Sequence, residues 1–150
     1  MVVIVLGLIM SGVLYMVFIG GYALLKYMGG LAGYVVIVYE MVRGGMVNAY
    51  ALSIALVIIG FMEEVYWRGG GLQELARGGL GSIFNREPWI ALMIYYTLVH
   101  ISTLNPALVA GAFAIGFVDG VLADKAGLTA SIITHVVWLE LMMVLLPLVS

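Results

Sequence analysis

The stretch MVNAYALSIALVIIGFMEEVYWRGG, Met46 to Gly70, decides how this chain is read. Its first 17 residues, Met46 to Met62, carry no charge; Glu63 and Glu64 then follow back to back, with Arg68 four residues after Glu64. An ionised carboxylate in or beside hydrocarbon costs several kcal/mol unless it is paired, solvated or neutralised. On a helix, Glu64 and Arg68 face each other at i,i+4 and can pair. Glu63 is turned about 100° away by the 3.6-residue period. The expected division of labour is therefore Glu64 anchored and Glu63 available. The plainer alternative is that the pair marks a helix end at the membrane interface, with Arg68 snorkelling to the headgroups.

The composition around this stretch fixes the class. Hydrophobic residues make up 65% of the 150 positions and charged residues 9%, against about a quarter charged in ordinary soluble domains. The mean hydropathy is +1.20. Every backbone polar group in a bilayer must be satisfied internally, so only helices or closed barrels span it. The apolar runs here are continuous rather than alternating, which favours helices. The expected fold is all-α: a polytopic transmembrane bundle of about six helices, multi-pass in a membrane, most simply the cell membrane, with lipids as its surroundings. A net charge of −2 and the lack of a basic patch argue against nucleic acid as a partner. The absence of cysteine excludes a thiol nucleophile and thiolate metal sites.

Taken in order, Val2 to Leu25 is a 24-residue uncharged run, longer than the roughly 20 residues a span needs. It lacks a basic leader and reads as a retained helix. Tyr27 to Val42 is a shorter second run containing Gly29 and Gly33, whose small-xxx-small spacing suits close helix approach. A break at Gly44-Gly45 precedes the third helix, which Gly69-Gly70-Gly71 ends. Leu72 to Glu87 is the most polar part, an interfacial helix or connector. Pro88 suits a first helical turn; Trp89 to Ile101, Ala107 to Ala123 and Leu128 to Val149 are the remaining runs. If all six runs span, the positive-inside rule places the loop with Arg77 and Arg86 in the cytoplasm and the amino terminus outside. That inference requires the second run to span.

Few polar groups interrupt the apolar background: Glu63, Glu64, Arg68, His100, Asp119, His135 and Glu140. His100 and His135 are the only histidines, and both fall in apolar runs. A carboxylate with histidines in a low-dielectric pocket can activate water as general base and hold an oxyanion. The same groups also suit a proton-coupled transporter, since Glu and His chains relay protons across membranes. Asp119, near its helix edge, and Glu140, able to pair with Arg68 or another cation, read as structural. His100, close to a helix end, also fits an ordinary interface residue. No cofactor is required. Two His and two Glu can ligate zinc, but there is no His-Glu-x-x-His helix, so the sequence neither demands nor forbids a divalent metal.

The set in order resembles the CPBP family, the CAAX prenyl proteases and bacteriocin-processing proteins, which are glutamate-type intramembrane endopeptidases. The first motif is Glu63-Glu64-Val-Tyr-Trp-Arg68, the second Tyr96-Thr-Leu-Val-His100, where the family often has Phe for Tyr96, and the third His135 in Ser-Ile-Ile-Thr-His135. An Asn105-Pro106…Gly111…Gly116…Gly127 pattern lies between them. The likeness covers about Met46 to Leu146. It implies two leading helices over residues 1–45 and a protease core over 46–150. It also implies roles: Glu63 as general base on water, His100 assisting it, His135 holding the oxyanion, Glu64 and Arg68 supporting the geometry. The implied partner is a peptide or lipidated-peptide substrate.

One departure stands out. The family usually has Asn or Asp four residues after the last His, and here that position is Leu139. Glu140 is about 100° off that face. Losing one oxyanion donor costs about 10²–10³ in rate. Three outcomes are compatible with Leu139: a slow enzyme, recruitment of another donor such as Ser131 or the Asn105 loop, or a catalytically impaired scaffold or immunity-type protein.

Overall fold

The computed structural model describes residues 1–44, 48–70 and 87–149. Among these it forms six α-helices and no strand, as the composition requires: α1 (Val2–Tyr27), α2 (Ala32–Arg43), α3 (Ala49–Arg68), α4 (Pro88–His100), α5 (Pro106–Ala126) and α6 (Leu128–Glu140). A 3-10 turn, Ile101–Thr103, follows α4, and α6 continues as a π-helical turn, Leu141–Leu145. The polar connector expected over 72–87 lies outside the described residues, apart from Glu87.

Four segments are long and apolar enough to cross a membrane: Val2–Tyr27, Ala49–Arg68, Pro106–Ala126 and Leu128–Leu145. The second run departs from expectation. Its helix has 12 residues, about 18 Å at 1.5 Å per residue, against a hydrocarbon core of about 30 Å. It begins late because Gly29 and Gly30, at φ +48° and +84°, turn the chain after α1. The loop parity behind the expected orientation therefore no longer follows. Gly29 and Gly33 also do not form a helix-packing pair, since a Cβ at either position would meet nothing within 4 Å.

Helix ends follow local chemistry. The Asn48 side chain accepts from the amide of Ala51 at 2.9 Å and so caps α3. Asn105 caps α5 through the amide of Leu108 at 3.0 Å and donates to the Tyr34 carbonyl at 2.9 Å. Such caps satisfy donors that a helix start leaves orphaned. Pro88 and Pro106 sit in first turns, where a missing N–H costs nothing.

α6 packs against α1, α3 and α5, and so holds the bundle together. The close approach of α1 depends on Gly7. A Cβ there would stand 2.8 Å from the Ile133 side chain and 3.0 Å from the Ala130 carbonyl oxygen. The Thr134 hydroxyl donates to the Gly7 carbonyl across this contact at 3.1 Å. Gly7 and Ser11, both buried, are thus the small-xxx-small pair that packs.

The C-terminal end of α6 is tied down by side chains of α1 and α2. Pro147 has no amide hydrogen to continue the ladder, and the last carbonyls of a helix lack internal partners. Tyr39 Oη donates to Met142 O at 2.7 Å, Arg43 Nη2 to Met143 O at 2.8 Å, and Tyr15 Oη to Leu146 O at 2.7 Å. The short α2 thus serves as a brace for the end of α6.

Gly7→Ala should lower stability by about 1–3 kcal/mol through overpacking. Gly12→Ala, where a Cβ meets nothing within 4 Å, should be neutral or stabilising. Thermal unfolding of the two variants in detergent checks the contrast.

Candidate active site

Glu64 lies on the buried stripe of α3, with Leu52, Leu56, Gly60 and Arg68. Its side chain is 0% exposed. Three donors surround it. Arg68 Nη1 is 2.8 Å from Oε1, His135 Nδ1 is 2.7 Å from the same oxygen, and the Ser131 hydroxyl donates to Oε2. The expected i,i+4 pair is present and buried, and α6 completes it. Ionised carboxylates survive burial when their lone pairs are filled this way.

Glu63 occupies a different environment. Its side chain is 33% exposed. Tyr96 Oη donates to Glu63 Oε2 at 2.8 Å, and His135 Nε2 lies 3.7 Å from that oxygen. The second distance is beyond a direct hydrogen bond, so a third atom can bridge the two groups. Glu63, Tyr96, His100 and His135 all line one cavity of about 410 Å³, whose other walls are largely apolar and come from all six helices. The helical rotation between adjacent residues therefore sends one glutamate into the packed α3–α6 interface and the other to the cavity.

The ring tautomers follow from their partners. His100 Nδ1 is 2.7 Å from the Tyr96 carbonyl oxygen, which can only accept, so Nδ1 carries the hydrogen and Nε2 is free to take a proton in the neutral ring. His135 Nδ1 faces carboxylate oxygens, again acceptors, and carries its hydrogen too.

Asp119 corrects its expected place. α5 runs on to Ala126, so Asp119 is seven residues, about 10 Å, in from the helix end. It is 0% exposed, with Oδ2 3.2 Å from His135 Nδ1. Glu140 pairs with neither Arg68 nor another cation among the described residues; it accepts from Ser53 Oγ at 3.0 Å. The two substitute donors considered for the oxyanion are engaged elsewhere: Ser131 on Glu64, and Asn105 in capping α5 and bonding Tyr34. Leu139 does face the cavity, and its Cδ1 packs so tightly on Gly60 that a Cβ there would be 2.9 Å away.

Tyr96 and Asp119 join the site with no role implied by the motifs. The sequence carries a signal for each: a hydroxyl where the family often has Phe, and the one charge in the run Ala107 to Ala123. Glu64, Asp119 and His135 bring possible metal-ligating atoms within 4.8 Å of one another. Within that grouping Arg68 Nη1 already lies 2.8 Å from Glu64 Oε1, and His135 Nδ1 lies 2.7 Å from the same oxygen.

Comparison with known proteins yields one family. The family model described as type II CAAX prenyl endopeptidase Rce1-like matches residues 45–139, well over half of the chain. The match contains all three motifs and ends on Leu139. No curated protein and no solved structure matches the chain.

Arg68→Met leaves the Glu64 charge without its guanidinium and should cost about 3–5 kcal/mol. The double variant Glu64→Gln with Arg68→Met should lose less than Arg68→Met alone, because both charges go together. Denaturation of the three proteins in one detergent measures the coupling.

Proposed function

We propose that this chain, which belongs to the type II CAAX prenyl endopeptidase Rce1-like family, hydrolyses peptide bonds of a membrane-associated substrate with a water activated by Glu63. The chain is an integral membrane protein of a protease family, with four helices long and apolar enough to cross a membrane. The observation that carries the finer reading is the separation of the two glutamates. Glu64 is committed to Arg68, His135 and Ser131, while Glu63 shares a cavity with both histidines.

In this reading Glu63 takes a proton from water, and the oxygen attacks the scissile carbonyl carbon. Negative charge moves to the carbonyl oxygen, next to His135 Nε2. The C–N bond then breaks as the proton passes to the leaving amine, and His100 Nε2 assists the transfer. Tyr96 Oη orients the Glu63 carboxylate. General-base participation of this kind is worth about 10²–10⁴ in rate.

Leu139 supports a second reading, a catalytically impaired scaffold, because the cavity wall carries an alkyl group where the resembling family has a donor. The two readings separate on a fluorogenic peptide with a farnesylated CAAX end and on its unprenylated counterpart. The peptidase reading expects cleavage of one of them to fall about 10²–10⁴-fold in Glu63→Gln. Unchanged cleavage in that variant sinks it. Leu139→Asn should raise the rate, up to about 10²-fold, by restoring a donor. Absence of cleavage by both wild type and Leu139→Asn favours the scaffold.

A further inference from the structure

Asp119 is the buried titratable group that the mechanism above leaves without a task. It is 0% exposed, and among the described residues neither of its oxygens accepts a hydrogen bond. Its Oδ2 nevertheless stands 3.2 Å from His135 Nδ1, the same nitrogen that Glu64 Oε1 approaches to 2.7 Å. Two carboxylates from two helices thus converge on one ring nitrogen.

That convergence bears on the opposite nitrogen. Nδ1 carries a hydrogen because its neighbours only accept. In a neutral ring, Nε2 would then present a bare lone pair to Glu63 Oε2, 3.7 Å away, and would repel an oxyanion. A second proton turns Nε2 into a charged donor aimed at the cavity. The surroundings favour that proton. Among the described residues, the groups around His135 are Glu63 and Glu64 of α3, with Arg68 beside Glu64, Asp119 of α5, and Tyr96 and His100 of α4 across the cavity; on α6 itself lies the hydroxyl of Ser131. Among the described residues, three carboxylates, if all are ionised, and one guanidinium sum to −2, and an imidazolium brings that sum to −1. Nearby opposite charges favour the charged form of a group, and uncompensated charge is most costly in an apolar interior.

We infer that Asp119 is a positioning residue that, with Glu64, holds His135 as an imidazolium, so that Nε2–H supplies the charged oxyanion donor where Leu139 offers none. The task assigned to the donor rests on the peptidase reading; the charge state of the ring does not.

The test uses ¹⁵N-histidine-labelled protein in micelles near neutral pH. The chain has only two histidines, and His100→Gln assigns the signals. Wild type should show both His135 nitrogens as protonated, and Asp119→Asn should lose the Nε2 proton while its amide oxygen still faces Nδ1. A neutral His135 in wild type overturns the inference, as does a ring that stays doubly protonated in Asp119→Asn. The wild-type spectrum decides alone if that variant does not fold. On the farnesylated peptide, Asp119→Asn should lower kcat about 10²-fold with little change in KM, and adding Leu139→Asn should recover much of the loss. Equal losses in the single and double variants overturn the donor role. The spectra need no substrate, so a wild type that cleaves nothing counts against the peptidase reading and leaves the charge assignment standing.

Discussion

The buried Glu64 carboxylate is the constraint on which the rest depends. A charge taken from water into this interior is tolerable only with its acceptor positions filled, and the donors come from two helices: Arg68 one turn along α3, and His135 and Ser131 from α6. Satisfying Glu64 therefore fixes the rotation of α3 and its register against α6. With that register set, Gly60 meets Leu139 and Val136 at close range, and the neighbouring residue, Glu63, has no choice but to face the cavity.

The same anchoring organises the histidines. His135 Nδ1 is held by Glu64, which leaves Nε2 on the cavity side near Glu63. Tyr96 does two jobs from α4: its hydroxyl reaches Glu63, and its backbone carbonyl takes the His100 Nδ1 hydrogen. Its ring also lies 4.8 Å from the Arg68 guanidinium, a cation–π contact. One aromatic residue thus links the anchored glutamate's partner to the available glutamate. The short α2 supports the arrangement from a distance, because Tyr39 and Arg43 hold the carbonyls at the end of α6.

Much of this was legible in the sequence, and the limits have physical causes. Uncharged run lengths and overall hydropathy dictated a helical membrane bundle. The i,i+4 spacing gave the Glu64–Arg68 pair, and the 100° rotation gave the separation of the two glutamates. The meeting of His100 and His135 with Glu63 was implied only by resemblance, because separate helices have no fixed relation in sequence. Gly29/Gly33 and Gly7/Ser11 have the same spacing, and nothing in the sequence tells which pair packs; what stands next to each in the fold decides it. The π-helical turn has its carbonyls held by donors a hundred residues or more away in the chain. Asp119 looked peripheral because its helix was expected to stop at Ala123 rather than Ala126.

The measurement that bears most directly on the divided glutamates is a structure with a peptide phosphinate, a mimic of the tetrahedral intermediate. The account predicts one phosphinyl oxygen within about 2.6–3.2 Å of the Glu63 carboxylate and the other at the same range from His135 Nε2, with Glu64 still bound to Arg68 and Ser131. An inhibitor held by Glu64, or seated away from Glu63 altogether, would contradict it.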